Sequence, residues 1–123
     1  MRKMDKKVKS SKSPRKQRKR LFNAPLHVRN KIIVSHFSPE LRKKYSRRSL
    51  RVRTGDKVKI LRGQFKGKTG KVEKINSKKS RVFITGVEFT KKDGSKSLHP
   101  VHSSNVMINE LNLSDKKRLR LKK

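Results

Sequence analysis

The sequence predicts a mainly β fold, in which a small antiparallel barrel carries an extended basic N-terminal arm with short helices and a basic C-terminal segment. Three observations lead to this prediction. Residues 51–109 contain four or five short stretches of alternating apolar and polar residues, separated by glycine-containing turns. No helical pattern lies between these stretches, which is typical of a small all-β unit. Residues 1–53 hold 20 of the 39 Lys and Arg residues and only two acids, which is typical of an arm rather than a core.

The composition restricts both the size of the core and the kind of partner. Of the 123 residues, 29% are hydrophobic, so the chain builds at most one domain with a small core. The formal net charge of +31 predicts a polyanionic partner. Nucleic acid fits this role because each of its phosphates carries one negative charge. The chain has no Trp and no apolar run of the roughly 18 residues that span a bilayer, so membrane insertion is not expected. Cysteine is absent, which excludes disulfides and Cys-based zinc sites.

The N-terminal arm divides into a tail and a helical part. Residues 1–20 contain eleven Lys or Arg and no apolar core, so we expect a tail that is disordered without RNA and is not a secretory signal. Residues 21–50 are expected to form two short helices. Asn23 and Pro25 precede the first, LHVRNKII. The second, SPELRKKY from Ser38, begins with a cap residue, a proline and an acid.

Alternating residues define the predicted strands. In RVRTGDKVKIL the apolar residues Val58 and Ile60 share one face, and in RVFITGVEF Val82 and Ile84 do the same. GKVEKI lies between these two runs, and NVMI is expected to close the sheet. Residues 110–123 then form the basic C-terminal segment, in which SDKKRLRLKK is expected to be a turn or a helix.

The run RGQFKGKTGKV, which begins at Arg62, is close to a nucleotide-binding P-loop. That motif is G-x-x-x-x-G-K-[ST], and Gly63 stands one residue too late relative to Gly67. A P-loop leads into a helix, whereas the following GKVEKI has the pattern of a strand. No hydrophobic strand ends in a magnesium-binding aspartate either. We therefore expect a hairpin loop that accepts the phosphates of a nucleic acid, in a protein that is not an enzyme and has no cofactor and no small-molecule substrate.

Longer runs carry a resemblance to a known family. TGDKVKILRGQFKGKTGKVEKI resembles the KOW motif, an element of SH3-like barrels in ribosomal proteins and transcription elongation factors. The flanking runs RKRLFNAPLHVRNKIIVSHFSPELRKKYSRRSLRVRTGD and HSSNVMINELNLSDKKR resemble the ends of one ribosomal family, called L twenty-four in archaea and L twenty-six in eukaryotes. The resemblance extends from Lys19 to Arg118. Ser103 departs from it, since the family more often has proline there, and residues 1–18 match only in being basic.

The resemblance implies a structural constituent of the large ribosomal subunit in the cytoplasm. It further implies binding to the 5′ region of the large-subunit rRNA near the polypeptide exit tunnel, a role in assembly, and neighbouring ribosomal proteins as partners. A homo-oligomer is not expected. The alternative is a KOW-domain transcription or translation factor that binds nucleic acid and polymerase, which would call for an acidic or apolar partner surface and usually further domains. A non-specific DNA-compacting protein would not need the defined arm.

The residues expected to contact RNA are basic, polar and glycine residues of the arm, of the loop after Arg62 and of the connections between strands. They are Arg15, Arg18, Lys19, Arg20, Asn23, His27, Arg29, Lys31, Arg42, Lys43, Lys44, Arg47, Arg48, Arg51, Arg53, Arg62, Gly63, Gln64, Phe65, Lys66, Gly67, Lys68, Lys71, Lys78, Lys79, His102, Ser103 and Asn105.

Three further features of the sequence have competing interpretations. Phe65, at the tip of the loop, either packs on a ribose or base of the RNA or folds back onto the barrel. His99 and His102 are three residues apart, but two ligands are too few for a metal site, so we expect hydrogen bonds to RNA or to a turn. Asp56 is interpreted as an ion-pair partner of a neighbouring lysine rather than as a catalytic group.

Overall fold

The computed structural model describes residues 11–115 and 117–119, and the first ten residues of the predicted tail lie outside this part. The helices are α1 (Pro14–Asn23), α2 (Leu26–Ile32) and α3 (Pro39–Tyr45). The strands are β1 (Val34–Phe37), β2 (Ser49–Arg51), β3 (Lys57–Ile60), β4 (Thr69–Asn76), β5 (Arg81–Ile84), β6 (Glu88–Thr90), β7 (Lys96–Leu98), β8 (Val101–His102) and β9 (Val106–Glu110), and a 3₁₀ turn spans Ser103–Asn105.

Most of the strands belong to one mixed sheet. Its order is β2-β1-β9-β3-β4-β5-β8, and β6 pairs with β7 in a separate two-stranded sheet. The pairs are antiparallel except for β1 and β9, which are parallel. The mainly β prediction is therefore confirmed. Within the described residues, however, the sheet is neither wholly antiparallel nor closed into a barrel, because β2 and β8 remain its two edges.

The alternation of apolar residues produces the core as predicted. Val58 and Ile60 of β3 are buried while Lys57 and Lys59 are exposed, and Val82 and Ile84 of β5 are buried while Arg81 is exposed and Phe83 is half-buried. A strand places successive side chains on opposite faces, so one face of each strand joins the core and the other stays in solvent. The buried residues of β9 complete the same cluster.

The arm contributes more to the core than the sequence indicates. Ile33 and Phe37 are fully buried, and β1 between them pairs with β9 in the register His36↔Met107 and Phe37↔Ile108. The prediction of residues 21–50 as an arm with helices alone was thus wrong for β1 and β2. The physical reason is that a four-residue strand gains its place from a partner some 70 residues away, and local pattern carries no trace of that pairing.

The helices agree with the sequence in part. Ser38 caps α3 as predicted, since its Oγ accepts a hydrogen bond from the backbone N–H of Leu41 at 3.4 Å. Asn23, predicted to open a helix, is instead the last residue of α1, and α2 begins after Pro25. Helix α1 lies largely in the tail predicted to be disordered. None of its residues is buried. A helix that packs on nothing needs no apolar stripe, which is the feature by which a packed helix is detected in a sequence.

The C-terminal segment is attached to the sheet by a buried ion pair. Arg118, in a short turn at residues 117–119, donates through Nη1 and Nη2 to the two carboxylate oxygens of Asp56, both at 2.6 Å. The side chains are 2% and 0% exposed. The prediction that Asp56 pairs with a neighbouring lysine was therefore wrong, because its partner comes from 62 positions further along the chain. No helix in the described residues is long and apolar enough to cross a membrane.

Candidate nucleic-acid interface

The loop after Arg62 is a hairpin connection. Strands β3 and β4 pair on either side of it, and Thr69, which would open the helix of a P-loop, opens β4. The loop ends are joined by hydrogen bonds from the backbone N–H of Gly67 to the carbonyl of Ile60 at 2.8 Å and from Ile60 to Lys68 at 2.9 Å. The hairpin prediction is confirmed. We call residues 62–68 the glycine loop.

The glycines in and beside this loop have different roles. Gly63 and Gly67 have φ angles of 97° and 87°, which side chains rarely adopt, and a Cβ at either would meet no atom within 4 Å. Gly70 is packed instead, since a Cβ there would lie 2.4 Å from the carbonyl oxygen of Thr85. Two glycines therefore shape the turn and leave its surface open, and the third permits close approach of β4 and the residues after β5.

Phe65 folds back onto the sheet. The ring is half-buried against the core, 5.1 Å from the His99 ring between centroids, and the Lys68 ammonium lies 5.1 Å from its centre. Of the two interpretations of Phe65, the one in which the ring folds back agrees with the structure. The reason is that residues 99–105 run beside the loop, where the backbone N–H of Leu61 donates to the carbonyl of Asn105 at 2.8 Å. RNA contact by the exposed part of the ring stays a prediction.

A cleft of about 110 Å³ opens where the glycine loop meets residues 99–105. We call it the loop cleft. Its lining brings together six residues predicted to contact RNA, His99, which was expected to form hydrogen bonds to RNA or to a turn, and Arg81, which the prediction missed. The residues that line it are Ile60, Arg62, Gly63, Gln64, Phe65, Arg81, His99, Pro100, Val101, His102 and Asn105. Arg81 lies at this cleft because it pairs with His102 across β5 and β8. The sequence alone does not show that these two strands are neighbours.

A larger cleft of about 480 Å³ lies between the sheet and the C-terminal segment. We call it the terminal cleft. Its lining residues are Arg51, Val52, Arg53, Thr54, Ile75, Ser77, Asn112, Ser114 and Arg118. Two of its three cations are already paired. Arg118 is bound to Asp56, and Arg53 donates to Asp115 at 2.6 Å. The hydrogen bond from Arg53 holds the pKa of the Asp115 carboxyl below its usual value of 3.8, and the backbone N–H of Lys117 acts in the same direction.

Comparison with known families identifies the kind of protein that carries these basic surfaces. Residues 11–122 match the family of ribosomal proteins L26 (eukaryotic) and L24p (archaeal). The chain belongs to this ribosomal protein family. It is accordingly a structural protein of the large ribosomal subunit that functions in cytoplasmic ribosomes, together with rRNA and other ribosomal proteins. The match confirms the resemblance and extends beyond the residues that carried it.

In this ribosomal protein, the other cations predicted to contact RNA are spread over several elements. Arg15, Arg18, Lys19 and Arg20 lie on α1, His27, Arg29 and Lys31 on α2, Arg42, Lys43 and Lys44 on α3, Arg47 and Arg48 after α3, and Lys78 and Lys79 in the turn after β4. Most of these side chains are exposed, whereas Arg20, Arg29, Arg42 and Arg47 are half-buried. The structure thus presents a broad basic surface, and the two clefts are among its concave parts.

Not every polar residue of the predicted set faces solvent. Ser103 is 2% exposed, and its carbonyl oxygen accepts a hydrogen bond from the hydroxyl of Ser35 at 2.5 Å. It therefore supports the 3₁₀ turn from within and does not lie on the surface, contrary to the prediction. His102 caps this turn, since its Nδ1 accepts from the backbone N–H of Ser104 at 3.3 Å. Across residues 11–115 and 117–119, no three His, Cys, Asp or Glu side chains gather as a metal site would require.

Proposed function

We propose that the protein binds large-subunit rRNA mainly through phosphate contacts made by cations of the arm helices and the glycine loop. The observation that carries this proposal is the balance of charge. The chain has 39 Lys and Arg against eight Asp and Glu, so 31 positive charges would remain even if every acid formed an ion pair. Phosphate contacts supply much of the affinity of such proteins and fix their orientation on the nucleic acid.

The positions of the ion pairs also support RNA contact by the cations of the arm helices and the glycine loop. Three ion pairs join described residues, namely Arg53–Asp115, Lys57–Glu110 and Arg118–Asp56. All three lie around β2, β3 and the C-terminal segment, and none involves α1, α2, α3 or the glycine loop. The acids therefore neutralise cations where the chain is tied together, and the cations of the arm helices and the loop stay available to RNA.

The finer architecture is also part of the proposal. Strands β3, β4, β5, β8 and β9 are proposed to form the SH3-like KOW domain of the family, within a chain divided into a tail (1–20), an arm (21–50), a barrel (51–109) and a C-terminal segment (110–123). The KOW-like run and the hairpin at its centre support this assignment. The arm is not independent of the barrel, because β1 lies between β2 and β9 in the sheet.

The place of the protein in the ribosome follows from the family resemblance alone. We propose that it binds the 5′ region of the large-subunit rRNA near the polypeptide exit tunnel, aids assembly there, contacts neighbouring ribosomal proteins and acts as a single copy without enzymatic activity. Cross-linking in large subunits purified from its own cells tests this location. Cross-links concentrated outside the 5′ region would overturn it.

Salt dependence of RNA binding tests the phosphate contacts. The affinity for a transcript of the 5′ region should fall with ionic strength with a log-log slope of about 0.7–0.9 per phosphate contacted. The double variant Lys66→Gln, Lys68→Gln removes two cations of the glycine loop and should lower the slope by roughly 1.5. Lys91→Gln, Lys92→Gln removes two exposed cations between β6 and β7, outside the predicted set, and is the matched control. A flat salt response of the wild-type protein would refute the proposal.

A further inference from the structure

The two clefts differ in whether carboxylates neutralise their cations. In the terminal cleft Arg53 and Arg118 are each bound to a carboxylate. In the loop cleft Arg62 and Arg81 are exposed, and none of the described residues that line it is acidic. The smaller cleft therefore has the stronger uncompensated positive charge, and it is the better site for an anionic group such as a phosphate.

One wall of the loop cleft is aromatic and fixed in position. Phe65 packs against His99, and the rings of His99 and Phe89 form a T-shaped pair at 6.2 Å between centroids. The hydrogen bond from the N–H of Leu61 to the carbonyl of Asn105 joins the loop to the opposite wall. Because these groups are already ordered, a ligand that stacks here would lose little free energy to their ordering.

The remaining wall offers directed hydrogen bonds. Arg81 and His102 are cross-strand neighbours, so their side chains lie on the same face of the sheet. Nδ1 of His102 is engaged by the backbone N–H of Ser104 at 3.3 Å and by the Ser104 hydroxyl at 2.8 Å, which leaves Nε2 for a ligand. Gln64 and Asn105 add amide groups that both donate and accept. Neutral donors and acceptors of this kind match the edge of a base, whereas a bare phosphate needs only the cations.

We infer that the loop cleft binds one unstacked nucleotide of RNA, with its base against the Phe65 and His99 wall and its phosphate between Arg62 and Arg81. The inference rests on the proposed function and specifies which part of the RNA this site receives. The cleft of about 110 Å³ has the volume of roughly three or four waters at about 30 Å³ each, so it receives part of a single base and has no room for a duplex. Unstacked bases occur in bulges and loops of RNA. In paired RNA the deep, narrow major groove keeps protein side chains away from the base edges.

The test compares two RNA hairpins that differ by one bulged nucleotide, each of the four bases being placed at the bulge in turn. The wild-type protein should bind at least one bulged hairpin more tightly than the fully paired one. Phe65→Leu keeps an apolar side chain but removes the ring, and it should lower affinity for the bulged hairpin on the order of tenfold while leaving the paired one unchanged. Phe22→Leu is the matched control, since Phe22 is 78% exposed on α1 and does not line the cleft, and it should leave the ratio of the two affinities within about twofold of wild type.

A second variant keeps the test decisive if Phe65→Leu disturbs folding. Arg81 is exposed, and Arg81→Gln should lower the salt slope for the bulged hairpin by about 0.7–0.9 and leave the slope for the paired hairpin unchanged. Lys92→Gln should lower neither slope selectively. Equal affinity of the wild-type protein for the paired hairpin and all four bulged hairpins would overturn the inference while rRNA binding stands. Failure to bind large-subunit rRNA at all would overturn the proposed function instead.

Discussion

The substitution Arg118→Met tests whether the buried ion pair holds the C-terminal segment to the sheet. One oxygen of Asp56 accepts from Nη1 of Arg118 at 2.6 Å and from the backbone N–H of Asn112 at 3.0 Å. The other accepts from Nη2 at 2.6 Å and from the backbone N–H of Arg53 at 2.8 Å. Methionine keeps a long unbranched side chain but removes the charge, both guanidinium bonds to Asp56 and the two further guanidinium bonds to the carbonyls of Asn112 and Arg51. The Asp56 carboxylate, 0% exposed, would then be left with two backbone donors.

The expected loss of stability is about 3 kcal/mol. Removing one partner of a buried ion pair costs about 3–5 kcal/mol because it leaves an uncompensated charge. The value should lie near the lower end here, since two backbone donors remain and the terminal cleft gives water a route to the site. A small domain is stable by about 5–15 kcal/mol, so this is a large fraction of the total. At a urea m-value of about 1–3 kcal/mol per molar, the unfolding midpoint should fall by roughly 1–3 M.

Urea unfolding of the full chain, followed by far-UV circular dichroism at neutral pH, measures this loss. Lys117→Met removes a positive charge from the exposed neighbouring residue and should change stability by no more than about 0.5 kcal/mol. The double variant Asp56→Asn, Arg118→Met buries no charge and should lose less than the two single variants together. The reasoning is refuted if Arg118→Met unfolds at the midpoint of the Lys117→Met control, or if the two single losses simply add.

Two further predictions concern the glycine beside the hairpin loop and the exposed ion pair. Gly70→Ala should destabilise the protein by about 1–3 kcal/mol, since its Cβ would lie 2.4 Å from the carbonyl oxygen of Thr85, and an unchanged urea midpoint would contradict this. The pKa of Asp115 lies below 3.8 in the folded protein, so the stabilisation from its bond to Arg53 is present above that value and is lost as the pH falls through the lowered pKa. In Arg53→Gln, the carboxyl resonance of Asp115 followed by NMR should titrate at higher pH, and an unchanged titration would show that Arg53 is not the cause.

The hairpin and the strands around it could be predicted because their signals are local. In β3 and β5, alternation over four residues decides which side chains are buried. In the glycine loop, one glycine out of place and a strand pattern after Thr69 distinguish a turn from a nucleotide site. Such features depend on spacing within about ten residues, which the sequence displays directly.

The missed features depend on contacts between distant parts of the chain. Strand β1 gains its position from β9, and Arg118 gains its burial from Asp56. Nothing near Arg118 distinguishes it from the exposed cations beside it, since burial of a cation depends on where the matching acid lies in the fold. The loop cleft shows the same limit. Arg81 and His99 join the predicted residues only through pairing of β5 with β8 and through the ring contact with Phe65.

Salt is expected to act in opposite directions on the fold and on the RNA contacts. A net charge of +31 repels itself in the compact state, and screening relieves that repulsion. The exposed pairs Arg53–Asp115 and Lys57–Glu110 are screened as well, but such pairs contribute little, whereas the buried Arg118–Asp56 pair is screened much less. Between about 0.1 and 1 M salt, the urea midpoint of the free protein should therefore hold or rise while its affinity for rRNA falls steeply. A midpoint that falls with salt would mean that the exposed ion pairs, and not the apolar core with the buried Arg118–Asp56 pair, hold the fold together.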